Sequence, residues 1–459
     1  MLGRLTGRPS CRLQHEIPRL PSTMKIFFSA GEPSGDLHGA NLIRELRRRR
    51  PDVEAVGYGG PEMAAAGCDL HSDLTALAVM WILRVLLNLH KFLELASRAD
   101  RYFRHHKPDA VVLIDYPGFN WWIARRAKAH GIPVFYYAPP QIWAWASWRI
   151  KKMRALVDHV LCGLPFEARW FAANGCRATF VGHPYFDEVR RQQLDAEFLR
   201  QYAAPDRPLV TILPGSRTQE LVHNLDHQLR AAKLIAAAVP QARFALACFK
   251  PQQAEMARQQ VAASGLAADV FVRRTPELIH LADCCLAVSG SVSLELLYQV
   301  KPTVIVYTVS RLGYRLQSWF RRVKYITLVN LLATDDVFFE ASRSRGGRSS
   351  QTIGICPPSV SPSAAAGPLF PEFVCCTDRS ADMARQIVTW LSRRDERARL
   401  VARLEALKNQ VAHGGASGRA ATYILAELDR RPQRLPRPHY QPSQPLTQAT
   451  VDVARRQAA

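Results

Sequence analysis

From residue 24 onward, short apolar runs alternate with longer stretches whose apolar positions recur at helical spacing. Residues 25–30 (KIFFSA), 53–58, 110–114, 133–137, 159–162 and 178–181 read as strands, most of them closed off by Gly, Pro or polar turn residues. A polar stretch at 190–208 follows, and a second series of strands is expected at 209–213, 243–248, 270–272, 285–288 and 303–307. This alternation predicts an α/β protein with doubly wound parallel sheets. Two such series joined by one linker predict two Rossmann-like domains facing each other across a cleft. Ligands in such sheets bind beyond the carboxyl ends of the strands.

The expected organisation runs as follows along the chain. Residues 1–23 read as a basic, disordered extension, or else Met24 is the natural start. Residues 24–195 form the first Rossmann-like domain and 196–376 the second, with a flexible Ser/Arg/Gly/Pro-rich insertion at 342–368. Helices follow at 377–430, interrupted by Gly414-Gly415, and a Pro-rich disordered tail at 431–459.

The stretch 77–102 has polar residues at 84, 88, 91, 94, 98 and 101, which is a polar stripe at helical spacing. Its broad apolar face, with Met80, Trp81, Leu86, Leu87 and Leu89 beside Arg84 and Lys91, suits a buried core helix. An interfacial helix or an acyl-chain site is the other reading. The most apolar run, 76–83, is broken by Arg84 and falls well short of the ~20 apolar residues of a membrane span.

Composition narrows the partner classes. The chain has 459 residues, with 61 Lys+Arg against 39 Asp+Glu, a formal net charge of +22. That excess calls for an anionic partner: nucleic acid, a membrane surface or phosphorylated substrates. A nucleic-acid module would interleave aromatics with a basic stripe, and none is recognisable here. Ten cysteines occur with no C-x-x-C spacing, which speaks against a metal site or a disulfide framework.

The chemistry-bearing motifs fall at predicted strand ends. GEPSGD, residues 31–36, follows the first strand and opens a helix, bringing Glu32, Ser34 and Asp36 together where a helix N-terminus favours anions. LIDYPGFN places Asp115 at the end of an apolar strand, where it either caps the next helix or serves as a general base; Asn120 shares that ambiguity. LPGSR, residues 213–217, sets Gly215, Ser216 and Arg217 at the start of a helix as a diphosphate clamp. In VSGSVSLE the turn Ser289-Gly290-Ser291 can approach a phosphate, and Glu295 is either a ribose-hydroxyl acceptor or a solvated helix residue. Trp143, Trp145 and Trp148 beside Arg149 either stack on a ligand or fill the core.

Taken as an ordered set, GEPSGDLHGANLIREL, GYGGPEMAAAGC, LAVM, KPDAVVLIDYPGFN, YYAPPQIWAW, LPFEARWFAANG, FVGHPYFDEV, LPGSRTQE, SGSVSLELL and the later FPEF resemble the lipid-A-disaccharide synthase family of GT-B glycosyltransferases. The resemblance covers residues 24–330 almost continuously. It implies transfer of 2,3-diacylglucosamine from its UDP derivative to 2,3-diacylglucosamine 1-phosphate (lipid X), with inversion and without a metal or other cofactor. It also implies cytoplasmic work at the inner membrane, a homodimer exchanging C-terminal helices, and no nucleic acid partner. By the same resemblance Asp115 is the base, Arg217 the arginine of the GSR motif, and Glu32 and Ser34 lie in the site. Asn330 matches the asparagine of a family Leu-Pro-Asn, although Leu328-Val329-Asn330 lacks the proline. The competing reading is a UDP-sugar transferase or epimerase of the same fold with a soluble substrate.

Overall fold

The computed structural model describes residues 23–78, 89–309, 322–334, 336–338 and 367–430. The expectations for the N-terminal arm, for residues 79–88 (Met80, Trp81, Arg84, Leu86 and Leu87 among them), for nearly all of the 342–368 insertion and for the tail lie outside these residues.

Two parallel sheets organise the chain. The first runs β3-β2-β1-β4-β5-β6-β7, built from Met24–Ala30 (β1), Val53–Gly59 (β2), Asp69–Asp73 (β3), Ala110–Ile114 (β4), Val134–Tyr137 (β5), His159–Cys162 (β6) and Ala178–Phe180 (β7). The second runs β10-β9-β8-β11-β12-β13, from Leu209–Leu213 (β8), Arg243–Cys248 (β9), Asp269–Val272 (β10), Cys284–Val288 (β11), Thr303–Thr308 (β12) and Glu372–Cys375 (β13). Central strands such as AVVLI and LVTIL are buried along their whole length, as sheets covered by helices on both faces require.

Two strands were not expected from the pattern. β3 (DLHSD) is a polar edge strand with no fully buried residue, so it lacks the apolar run that signals a strand. β13 (EFVC) is four residues long and pairs only with β12. The polar stretch at 190–208 also carries a helix, Ala196–Tyr202, capped by the Asp195 carboxylate accepting from the Glu197 and Phe198 N–H groups. Within the 77–102 stretch, the described part is the helix Leu89–His106. It buries Phe92, Leu95, Ala96, Ala99 and Phe103, while Leu89 and Leu93 stay exposed.

The halves are laced together by chain that returns. Val323, Leu331 and Val337, which precede β13, pack into one face of the first sheet beside Phe119, Trp143 and Phe166. The Ala416–Asp429 helix, near the end of the chain, crosses back and buries Ala420, Ala421, Ile424 and Leu425 against Ile26, Phe28 and Ile43 on the other face. Gly415, with φ +85, turns the chain into that helix. Asp187 accepts from the Gly415, Ala416 (3.1 Å) and Ser417 (2.8 Å) N–H groups, satisfying the helix's orphan donors.

Among the described residues, no helix is long and apolar enough to cross a membrane.

Candidate functional site

In each sheet the strand order reverses once, between β1 and β4 in the first and between β8 and β11 in the second. A crevice opens at such a point, because the connections leave to opposite faces. The residues following these four strands are Glu32, Asp115, Gly215-Ser216-Arg217 and Ser289-Gly290-Ser291. The motifs singled out in the sequence therefore sit at the two switch points.

Asp115 leaves β4 in the left-handed region, φ +41, and Tyr116 follows at φ +46. Consecutive non-glycine residues there cost on the order of 1–2 kcal/mol each, so something must hold them. The Asp115 carbonyl accepts from Asn120 Nδ2 (2.7 Å) and from the Tyr136 hydroxyl (2.7 Å). Asn120 also donates to the Ser29 and Ile114 carbonyls and accepts from Ser29 Oγ at 2.7 Å. That uses up the Asn120 amide, which fixes the Asp115 backbone. The Tyr116 ring lies over Gly31, where a Cβ would meet it at 2.3 Å; glycine there lets the two turns close together.

The Asp115 carboxyl is pushed up to about 6. Burial is the main cause and repulsion from Glu32 adds to it; the Tyr116 N–H and the positive field of Arg217 oppose them. Capping is not its role, since the helix Pro117–Ala129 begins with Tyr116 as N-cap and has no side-chain cap. Glu32 likewise precedes the Pro33–Arg49 helix without capping it, and Ser34 is exposed in that helix's first turn. Asp36, grouped with them in the sequence, belongs elsewhere. It is buried and accepts from the Gly60 (2.8 Å), Glu62 (2.9 Å) and Met63 (3.0 Å) N–H groups, capping the Pro61–Ala65 helix.

In the second half, Gly215 has φ +114, and a Cβ there would sit 2.6 Å from Glu220. Glu220 bonds the Arg217 N–H (3.2 Å), and the Arg217 guanidinium is 74% exposed, 3.6 Å from the Glu220 carboxylate. Ser216 is fixed from behind: buried Gln253 donates to its carbonyl at 2.9 Å and accepts from the Phe249 and Lys250 N–H groups. The 21-residue helix Thr218–Ala238 thus starts at a shaped turn with an exposed arginine at its N-cap. Its dipole and unsatisfied N–H groups favour an anion.

Ser289 donates to the Ile326 carbonyl at 3.1 Å, so its hydroxyl anchors the loop, while Gly290 and Ser291 are exposed. Glu295 is not the solvated helix residue of the alternative reading: it is 4% exposed. Its Oε2 accepts from the Tyr185 hydroxyl at 2.9 Å, and its buried Oε1 has no partner among the described residues. Burial pushes this carboxyl up to about 7, against the Tyr185 bond. Asn330 is structural. Its Nδ2 donates to the Phe370 carbonyl and to Glu372 (2.7 Å each) and its Oδ1 accepts from the Phe370 N–H, so its amide braces β13 and has little left for a ligand.

Sequence reasoning missed Tyr136, Gln253 and Tyr185 as supports. Tyr136 and Tyr185 lie in motifs visible in the chain and Gln253 in the helix Pro251–Ser264, but the partner each supports is remote in sequence. The tryptophans divide. Trp143 is buried and donates to Glu167 at 2.9 Å, whereas Trp145 and Trp148 are about half exposed, with Arg149 stacked over Trp145 at 4.9 Å.

Residues 26–349 match the family model described as lipid-A-disaccharide synthetase. A lipid-A-disaccharide synthase of Geobacter metallireducens is 35% identical over 314 residues, covering 68% of this chain and 82% of the relative. That of Syntrophus aciditrophicus is 32% identical over 402 residues, 87% of this chain and 97% of the relative. Among solved structures, a UDP-GlcNAc 2-epimerase from Neisseria meningitidis bound to UDP-GlcNAc aligns with a TM-score of 0.57 at 11% identity, covering 88% of this chain and 99% of that one. The calicheamicin glycosyltransferase aligns at 0.52 and 14% identity, covering 89% and 99%. These structural likenesses place the fold among GT-B glycosyltransferases and epimerases.

Proposed function

The chain belongs to the lipid-A-disaccharide synthetase family, and from that premise we propose how its cleft performs the reaction. The enzyme is a hexosyltransferase of lipid A biosynthesis. It condenses UDP-2,3-diacylglucosamine with 2,3-diacylglucosamine 1-phosphate to give lipid A disaccharide 1-phosphate and UDP.

Asp115 takes the proton from the acceptor's 6-hydroxyl as that oxygen bonds to C1 of the donor sugar. The C1–O bond to the diphosphate breaks on the opposite face, inverting the centre, and UDP leaves with the electron pair. Arg217, the N–H groups opening the Thr218–Ala238 helix and the Gly290-Ser291 turn stabilise the charge that grows on the diphosphate. Glu295, with one oxygen held by Tyr185 and the other unpaired, accepts from the donor's ribose hydroxyls. Glu32 and Ser34 face the acceptor side at the β1/β4 crevice. A base whose carboxyl lies near 6 is ionised at neutral pH yet still basic enough to act.

The observation that carries this reading is placement: Asp115, just past β4 at the first sheet's switch point, and Arg217, opening the Thr218–Ala238 helix after β8 of the second, lie near enough for the arginine's charge to act on a carboxyl that burial raises to about 6. A base and a diphosphate clamp thus share one cleft. Both substrates are amphiphiles, so the enzyme works from the cytoplasmic side on the inner membrane surface. The exposed Trp145–Trp148 pair with Arg149 suits that boundary, where an aromatic body and a cation meet headgroups.

The direct test supplies UDP-2,3-diacylglucosamine with 2,3-diacylglucosamine 1-phosphate, and in parallel with glucosamine 1-phosphate, and measures UDP and disaccharide. Turnover with the diacylated acceptor alone is expected. Equal turnover with the soluble one would favour the competing transferase reading. In the same assay, Glu295→Gln is expected to raise the donor KM about tenfold, the loss of one charged hydrogen bond, with little change in kcat. An unchanged donor KM would remove Glu295 from the nucleotide site.

A further inference from the structure

A second polar cavity lies far from the cleft. The Pro33–Arg49 helix carries Glu32 and Ser34 at its cleft end and Arg48 and Arg49 at the other, about 25 Å away by helical rise. There, a groove of about 850 Å³ opens between this helix, β7, the Tyr185–Arg191 helix and the Ala416–Asp429 helix. It is lined by Arg48, Arg49, Arg190, Arg191 and Arg419, against which stand only two carboxylates, Glu45 and Asp187.

Neither carboxylate balances the arginines. Asp187 is spent on the N–H groups that open the Ala416–Asp429 helix. Glu45 is shared among three cations: it pairs with Arg48 (2.9 Å) and Arg49, and Arg191 approaches at 3.8 Å. Arg419 donates to the Val181 (2.7 Å) and Gly414 (2.9 Å) carbonyls and has no acidic partner among the described residues. The Arg190 side chain makes no hydrogen bond or ion pair among them, although it lies over Gly414, where a Cβ would meet it at 2.8 Å. Five arginines against two carboxylates leave this concave site with a formal charge of +3. Guanidinium forks match phosphate oxygens in pairs.

The walls add to the fit. Phe180 is 45% exposed and lines the groove with Tyr423, offering apolar surface beside the cations. The volume exceeds that of a bare phosphate and lies in the range of small-molecule sites. We propose that this groove binds a phosphate-bearing organic anion, independently of the transferase cleft, with Arg190 and Arg191 as its principal ligands. The same chemistry belongs to a soluble phosphate ester and to a phospholipid headgroup. The groove touches two of the places where the chain passes between the two halves, the Tyr185–Arg191 helix and the Gly414-Gly415 turn.

The test uses the full chain with Arg217→Gln, so that the cleft's own clamp is weakened, and compares it with the same protein also carrying Arg190→Gln and Arg191→Gln. Binding of pyrophosphate is followed by calorimetry. Flotation is followed with vesicles of phosphatidylcholine alone and of phosphatidylcholine mixed with phosphatidylglycerol. We expect about a tenfold loss of affinity for at least one probe. Weakened pyrophosphate binding identifies a soluble ester, weakened phosphatidylglycerol flotation a headgroup, and a change under threefold for both overturns the site. Should the double change disturb folding, Arg190→Gln alone removes the arginine that has no partner. In the otherwise wild-type chain that variant should release UDP at the parental rate.

Discussion

Asp115→Ala is expected to lower kcat by about 10²–10⁴-fold, the usual contribution of a positioned general base, while both substrates still bind. The pH profile of the unaltered enzyme should carry the same signature. Its carboxyl sits near 6, chiefly from burial, so kcat should fall about tenfold per pH unit below 6 and level off above it. The stability effect has the opposite sign. A carboxyl raised in the folded state holds its proton more tightly there than in the unfolded chain. Its favourable contribution is therefore full below about pH 4 and is lost as pH rises through 6. Asp115→Asn should thus melt no lower than the parent at pH 7.5, and up to about 3 kcal/mol of relief is available. A variant that is inactive but less stable would mean that Asp115 holds the fold together instead of performing the chemistry. Near-parental activity would remove it as the base.

Arg217→Ala is expected to lower kcat/KM for the UDP donor by about 10²–10³-fold, comparable to losing one transition-state hydrogen-bond donor. Arg217→Lys should recover only part of this, because a point charge cannot span two phosphate oxygens as a guanidinium does. A second readout separates this from a local folding defect. The arginine's field lowers the Asp115 carboxyl, so its removal should move the acid limb of the kcat profile to higher pH. Loss of rate with an unmoved acid limb would mean that the two groups do not share one closed cleft. Because the side chain is 74% exposed, the variant should melt within a degree or so of the parent.

Much of this site was legible in the chain. Apolar runs such as VVLI and TILP mark strands, and the Gly- and Pro-rich turns after them can only be strand-end loops. The motifs that carry Glu32, Asp115, Arg217 and Ser289 were therefore placed at the correct edge of their sheets. What the chain did not reveal is which member of a motif faces the cleft. Glu32 and Asp36 are four residues apart in one motif, yet Asp36 is turned inward to cap residues 60–63. Asn120 and Asn330 look like ligands, but both amides are consumed within the fold, Asn330 by residues some forty positions away. Nor does β3 betray itself, since an exposed edge strand needs no apolar alternation.

The +22 charge also divides once the chain is folded. Arg217 stands exposed beside Glu220 at the start of the Thr218–Ala238 helix, while five arginines from three separated segments gather at the far end of the first helix. The sequence by itself determined the apolar strands, all those described but β3 and β13, with their order of appearance and the loops that hold the chemistry. Those depend on local hydrophobic period and on turn residues. Tertiary structure decided which carboxylate is left unpaired and raised, which amides are spent, and where the last helix lands. Those outcomes depend on partners brought together only when both sheets are covered and water is excluded.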